Sequence, residues 1–353
     1  MIKGILKSFL IIYKTISVFL FGVGVALSAN AVAPSETPPG SWRGDFWRMS
    51  VFTDYYSSNS NLSSSGTRTF STLPPGNKVQ VYAVRPKLRY NFSEKSSLYF
   101  GGNIVNTSSV TGSVQRNNSG LGEAFVGMNY ILSGQFSRLV GELEADYAAT
   151  PYSATANDAL LSDGANSIRA QFYFFRPYSF GNPFVHLGAQ YRDQGYSQLI
   201  LYGGGFEKPL GKSFLIGTGF EGELSFLSDT NSSIYRSALT DQVMGGSHYF
   251  AAYNPSFIDA RIWAGYKPEP GWQFKLGYAQ SFLGTNASYG QSFFLSFSLN
   301  FDPRADDEGF AQFRQSKSSA RRKGQKDLND FEPEKNNINP ELYKDEQRFE
   351  PLD

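Results

Sequence analysis

The sequence predicts an all-β fold: a twelve-stranded antiparallel up-and-down transmembrane β-barrel, with a cleaved signal peptide before it and a disordered C-terminal tail after it. Three observations carry that prediction. Between residues 46 and 301, stretches of about ten residues alternate apolar and polar positions, which is the period of a strand with two different faces. The connections between them alternate short and long. Within each stretch the charged residues keep to one parity, as they must when the other face meets hydrocarbon.

Composition agrees with strands rather than helices. The chain has 31 Phe and 21 Tyr beside 35 Gly, a profile of aromatic strands joined by small polar turns. Its net charge of +1 gives no electrostatic reason to expect nucleic acid. With no cysteine it has no disulfide, thiol nucleophile or cysteine-bound metal, and no metal or organic cofactor is implied.

Residues 1–31 have the parts of a secretory signal. Lys3, Lys7 and Lys14 start it, Ile16 to Leu27 is its apolar core, and Ala29-Asn30-Ala31 offers a small-x-small cleavage site. The apolar run after Lys14 is too short for a comfortable spanning helix, and no later segment approaches one, so any membrane crossing is by strands. Residues 32–45 form a lead-in to the barrel at 46–301.

The expected strands are 46–56, 79–91, 97–106, 121–132, 138–149, 167–176, 184–192, 198–206, 213–225, 255–266, 272–280 and 291–301. Connections after even-numbered strands are tight: Phe92 to Ser96, Ser133 to Ser137, Pro177 to Pro183, Glu207 to Lys212 and Lys267 to Gly271. Those after odd-numbered strands are mostly longer: Ser57 to Asn77, Thr107 to Gly120, Thr150 to Asn166, Phe226 to Asn254 and Ser281 to Gly290. Short turns on one side and long loops on the other require an even strand count with both termini on the short-turn side.

Charge segregation is sharp. In 138–149, Leu139, Gly141, Leu143, Ala145 and Tyr147 oppose Glu142, Glu144 and Asp146. In 79–91, Tyr82, Val84, Leu88 and Tyr90 oppose Arg85, Lys87 and Arg89. Glu221 and Glu223 oppose Phe214, Ile216 and Phe220, and Asp259 with Arg261 opposes Ile258 and Ile262. A charge on the lipid face at the midplane costs about 2–4 kcal/mol, so the charged parity faces a lumen. Arg169, Lys275 and His186 join it there. Trp272, Tyr90, Tyr130 and Phe301 fall at one membrane interface and Tyr147, Tyr191 and Tyr289 at the other, where amphipathic rings are favoured.

The last strand resembles the terminal strand of Gram-negative outer-membrane β-barrels. Phe293, Leu295, Phe297, Leu299 and Phe301 alternate and end on an aromatic residue. The resemblance reaches the porin-like and transporter class as a whole and no family within it. It implies insertion by the barrel-assembly machinery, an outer face against outer-membrane lipid and lipopolysaccharide, and both termini in the periplasm. One departure is plain: in many such barrels the aromatic residue ends the chain, whereas residues 302–353 follow here. That tail is charged, rich in proline and poor in β-branched residues, which predicts a disordered periplasmic segment able to tether a periplasmic partner. Phe331-Glu332-Pro333 recurs in it as Phe349-Glu350-Pro351.

The function expected from these residues is a narrow passive channel for small hydrophilic solutes, with Arg85, Lys87, Arg89, Glu142, Glu144, Asp146, Arg169, Glu221, Glu223, Asp259, Arg261 and Lys275 setting its selectivity. Opposed basic and acidic ladders across the lumen would orient a passing solute, or else pair and plug it. Two other classes compete. A closed structural or adhesive barrel would present its Ser/Asn/Gly/Tyr-rich loops outward and use its tail as a tether. An outer-membrane lipid-modifying enzyme needs a nucleophile and base near the rim, for which Ser247, His248 and Asp241 are the candidates.

Overall fold

The computed structural model describes residues 46–62, 70–93, 95–133, 137–150, 157–230, 240–250, 252–268 and 272–301. The expected signal peptide, lead-in and tail lie outside them.

Among these residues one antiparallel sheet runs through the chain in sequence order. Its members are β1 (Phe46–Leu62), β2 (Phe70–Thr72), β3 (Lys78–Asn91), β4 (Ser96–Thr111), β5 (Val114–Ser133), β6 (Arg138–Ala148) and β7 (Ser167–Phe175). They continue as β8 (Asn182–Arg192), β9 (Gln198–Leu210), β10 (Phe214–Leu227), β11 (Ser256–Tyr266), β12 (Trp272–Thr285) and β13 (Ser288–Phe301). The last strand pairs back onto the first, from Trp47 opposite Phe301 to Asn61 opposite Ser288, and this closes the barrel. Twelve long strands form the wall, and the short β2 adds to the end of β1. Closure gives edge backbone groups a partner, which a sheet in hydrocarbon requires.

All twelve expected strands are present, and several run further than the alternation indicated. The expected loop Thr107 to Gly120 is largely strand, because β4 and β5 extend into a hairpin that turns at Gly112 with φ 60°. The expected loop Ser281 to Gly290 is likewise a tight hairpin, with only residues 286–287 between β12 and β13. Glu207, expected in a turn, is a strand residue opposite Gly217, because the β9–β10 turn tightens at Gly211 with φ 69°. In the two long hairpins polar Ser, Asn, Thr and Gly continue an extended ladder, since beyond the membrane neither face needs to be apolar.

The faces separate as expected. Phe100, Leu143, Phe172, Leu187, Ile262 and Leu276 stand exposed on the outside. The next residue along several of these strands is buried inside, Leu143 being 48% exposed and Glu144 2%. Aromatic rings mark the rim where the strand set begins and ends: Trp47 lies 4.8 Å from Tyr90, Phe214 4.9 Å from Tyr266, and Trp272 5.5 Å from Phe297, centroid to centroid. This is the proximal rim. Tyr147 and Tyr191, both largely exposed, sit toward the distal one.

Inside, large rings lie against the wall over glycines. Tyr99 is opposite Gly127, Trp263 opposite Gly217, Phe294 opposite Gly277, and His186 opposite Gly203. A Cβ at any of these glycines would stand 2.1–2.4 Å from the partner ring, so the absence of a side chain is what lets each ring lie down. Rings held flat leave the barrel centre to longer polar side chains.

The face assignment yields a direct expectation. Leu143→Arg, which puts a charge on the lipid side, should lower stability by about 2–4 kcal/mol in urea unfolding of the vesicle-inserted protein, while Leu143→Ile stays near wild type.

Candidate functional site

The lumen is built in tiers. At the centre, Glu144 on β6 accepts a hydrogen bond from Arg85 Nη2 on β3 at 2.7 Å and pairs with Arg169 on β7. Strands β4 and β5 lie between β3 and β6, so the Arg85–Glu144 contact passes through the barrel interior. Asp146 Oδ1 stands 3.8 Å from Arg85 Nη2, and its other oxygen accepts from the Ser167 hydroxyl at 2.9 Å. Two buried guanidinium groups thus share a carboxylate pair, which offsets the cost of taking those charges out of water.

The basic stripe of β3 lies along aromatic rings. The Arg85 guanidinium sits 4.2 Å from the Phe125 centroid, and the Lys87 ammonium 4.2 Å from that of Tyr99. Arg89 lies 5.6 Å from Tyr99, and Asn129 bridges it to Glu142 once its amide is oriented to satisfy both neighbours. The Tyr173 hydroxyl is 2.6 Å from Gln171 Oε1 and 3.2 Å from Glu142 Oε1. Across the lumen, Arg261 Nη1 meets Glu221 Oε2 at 2.9 Å. Nearer the proximal rim, Lys275 on β12 pairs with Glu207 on β9, which also accepts from Trp263 Nε1 at 2.9 Å. The arrangement is interleaved rather than two opposed ladders, because Arg169 and Arg261 stand beside the acidic residues of adjacent strands. His186 stacks on Tyr173 at 5.5 Å, with neither ring nitrogen hydrogen-bonded.

Above the centre is a cavity of about 170 Å³. Glu123, Glu223 and Asp259 reach it, together with Asp54, Arg85, Asp146, Asp163, Arg169 and Arg192. Arg192 is fixed by Asp163 at 3.2 Å and by the Ser197 backbone carbonyl and hydroxyl at 2.9 and 2.6 Å.

The distal mouth is covered by parts of two connections. Ala159, Leu160 and Leu161, before β7, pack with Val243, Met244, Tyr249 and Phe250, before β11. They meet the inward side chains Val79, Val81, Ala83 and Val105, and the resulting apolar cluster lies inside the barrel. Polar side chains near the strand ends hold the loop backbone: Ser109 Oγ donates to the Val243 carbonyl at 2.5 Å, Asn77 Nδ2 to Gly245 at 3.0 Å, and Asn61 Nδ2 to Gly246 at 2.7 Å. Asn61 Oδ1 accepts from the His248 amide at 3.0 Å. Ser247 is fully buried, its hydroxyl 3.1 Å from that of Ser288. A second apolar group joins Phe52, Leu215, Trp263 and Phe294, with Phe184 packed against it, along the inner wall.

Several of these residues were absent from the sequence-based candidates. Asp54 and Glu123 share the inward parity of expected strands and were legible there. Val79, Val81 and Ala83 share parity with Arg85, an apolar half-stripe that announces something packed against it. Arg192 ends the expected strand 184–192 on the parity of His186 and was legible too, whereas Glu207 and Asp163 lay in connections, where parity says nothing.

Glu144→Gln leaves Arg85 and Arg169 without their shared carboxylate. It should cost about 3 kcal/mol in urea unfolding, at the lower end of the range because Asp146 remains nearby, and adding Arg169→Gln should recover part of the loss.

No family model and no curated protein matches the sequence. Solved structures do match. A crystal structure of an outer membrane channel from Pseudomonas putida F1 aligns with a TM-score of 0.56 at 12% identity, over 75% of this chain and all (100%) of that one. The NanC porin aligns at 0.42 with 10% identity, over 71% and 98%. The translocator domain of the autotransporter NalP from Neisseria meningitidis aligns at 0.43 with 11% identity, over 73% and 89%. The first of these likenesses speaks to fold: with the closed twelve-stranded wall, the apolar outer face and the charged interior, this chain has the fold of an outer-membrane β-barrel.

Proposed function

We propose that the protein is a narrow passive channel for small hydrophilic solutes in the Gram-negative outer membrane, its proximal rim in the periplasm. The observation that carries this reading is the lumen. A barrel kept only for structure gains most by filling its interior with apolar side chains, because buried ion pairs contribute little to net stability. Here the middle tier is charged, and above it lies a cavity of about 170 Å³ lined by carboxylates and guanidinium groups. The inward-folded loop restricts passage, so only small solutes fit. Arg85, Lys87, Arg89, Glu142, Glu144, Asp146, Arg169, Glu221, Glu223, Asp259, Arg261 and Lys275 are the residues that set selectivity in this reading. Phe293, Leu295, Phe297, Leu299 and Phe301 form the strand offered to the barrel-assembly machinery.

The rival readings are less well supported. An adhesive barrel needs its loops outward, whereas the described parts of the two long connections turn in. A lipid-modifying enzyme needs a serine at the membrane rim, whereas Ser247 is buried against Ser288.

The refolded full-length protein in a planar bilayer should show small, steady openings, and the triple change Arg85→Gln, Lys87→Gln, Arg89→Gln should shift the reversal potential in a salt gradient toward cation preference. A folded barrel that stays silent would sink the channel reading.

A further inference from the structure

The cavity gathers more carboxyl groups than its guanidinium groups can pair with. Its three arginines are already engaged: Arg85 and Arg169 on Glu144, and Arg192 on Asp163. Glu123, Glu223 and Asp259 line the same space and make no ion pair among the described residues. An independent observation points the same way. Asn103 is 8% exposed and lines the cavity, and its side-chain carbonyl oxygen is buried with no hydrogen-bond partner. Asp259 Oδ1 is also buried without one. Acceptors and carboxyl groups without an ion-pair partner, converging on one cavity, call for a donor that carries positive charge.

We propose that this chamber binds a small organic cation, with the chemistry of an alkylammonium or short diammonium ion. The proposal deepens the channel reading and rests on it to the extent that the chamber must be reached from a membrane face. Three features favour an organic cation over a metal ion. Among the described residues no three carboxylate or imidazole groups are close enough to share one metal, so a point charge finds no complete shell. An elongated cation with separated N–H groups can reach carboxylates that stand apart. Phe52, Tyr249, Phe250 and Phe257 supply ring faces around the same space, suited to ammonium and to the methylenes beside it. The size is also right: the volume is about ten times what one water needs, and well below the roughly 300 Å³ at which drug-sized sites begin.

The test is calorimetric titration of the full-length protein, folded in detergent micelles at low salt, with 1,4-diaminobutane. A saturable single-site heat is expected, along with a raised unfolding temperature. Glu223→Gln and Asp259→Asn should each weaken binding roughly tenfold or more. Neither residue is in an ion pair among the described residues, so neither change breaks one. Asn103→Leu, which changes no charge, should weaken binding several-fold and gives a second, independent readout. Glutarate, a dianion of similar length, should give no saturable heat. The proposal is overturned if the folded wild type shows no saturable heat, if the carboxylate variants bind as well as wild type, or if glutarate binds as tightly. Binding without conductance would keep this inference and remove the channel; conductance without binding would do the reverse.

Discussion

Everything in this structure follows from one constraint: in hydrocarbon, each backbone amide and carbonyl needs a partner within the protein. The pairing of β13 with β1, from Trp47–Phe301 to Asn61–Ser288, meets it for the two strands that would otherwise be edges. Closure then divides the side chains into those facing lipid and those facing a lumen. Leu143 and Glu144, adjacent in sequence, end up in different solvents, so every later feature of the interior is a way of handling polar groups confined to a tube.

The tube handles them in two ways. At the centre, charges cross the lumen to reach one another: Arg85 spans two intervening strands to Glu144, and Lys275 two to Glu207. Toward the distal mouth, loop backbone enters instead, its carbonyls satisfied by Ser109, Asn77 and Asn61 and its apolar side chains by Val79, Val81 and Val105. Gly127, Gly217 and Gly277 let large rings lie against the wall, so neither solution has to compete with them for space. Between the two remains a chamber whose carboxyl groups outnumber its guanidinium groups.

Much of this was legible in the sequence, and the limits are physical. Alternation located all twelve strands, because a strand's two faces differ most where lipid meets one of them. It located their distal ends poorly, since at 107–120 and 281–290 the strands rise beyond the membrane and the contrast disappears. Parity placed Arg85, Glu144, Arg169 and Glu221 inside, but it could not pair Arg85 with Glu144, because barrel radius and shear decide which inward residues meet. The apolar inward run Val79, Val81, Ala83 was present in the sequence on the parity of Arg85, but it was not read as the seat of a plug. Which loop supplied it was not visible, because Val243 and Met244 lie in a connection with no period of its own.

The central claim is that water and small solutes reach the charged chamber past a mouth that the inward loop narrows. The protein contains no cysteine, so single thiols report without background. The most direct measurement is the reaction of two single-cysteine variants, Ser292→Cys on the chamber wall and Val81→Cys under the inward loop, with a small charged thiol reagent on the membrane-inserted protein. The account expects rapid labelling of Ser292→Cys and protection of Val81→Cys. An inert Ser292→Cys in a folded barrel would contradict it, since the chamber would then be sealed from both sides.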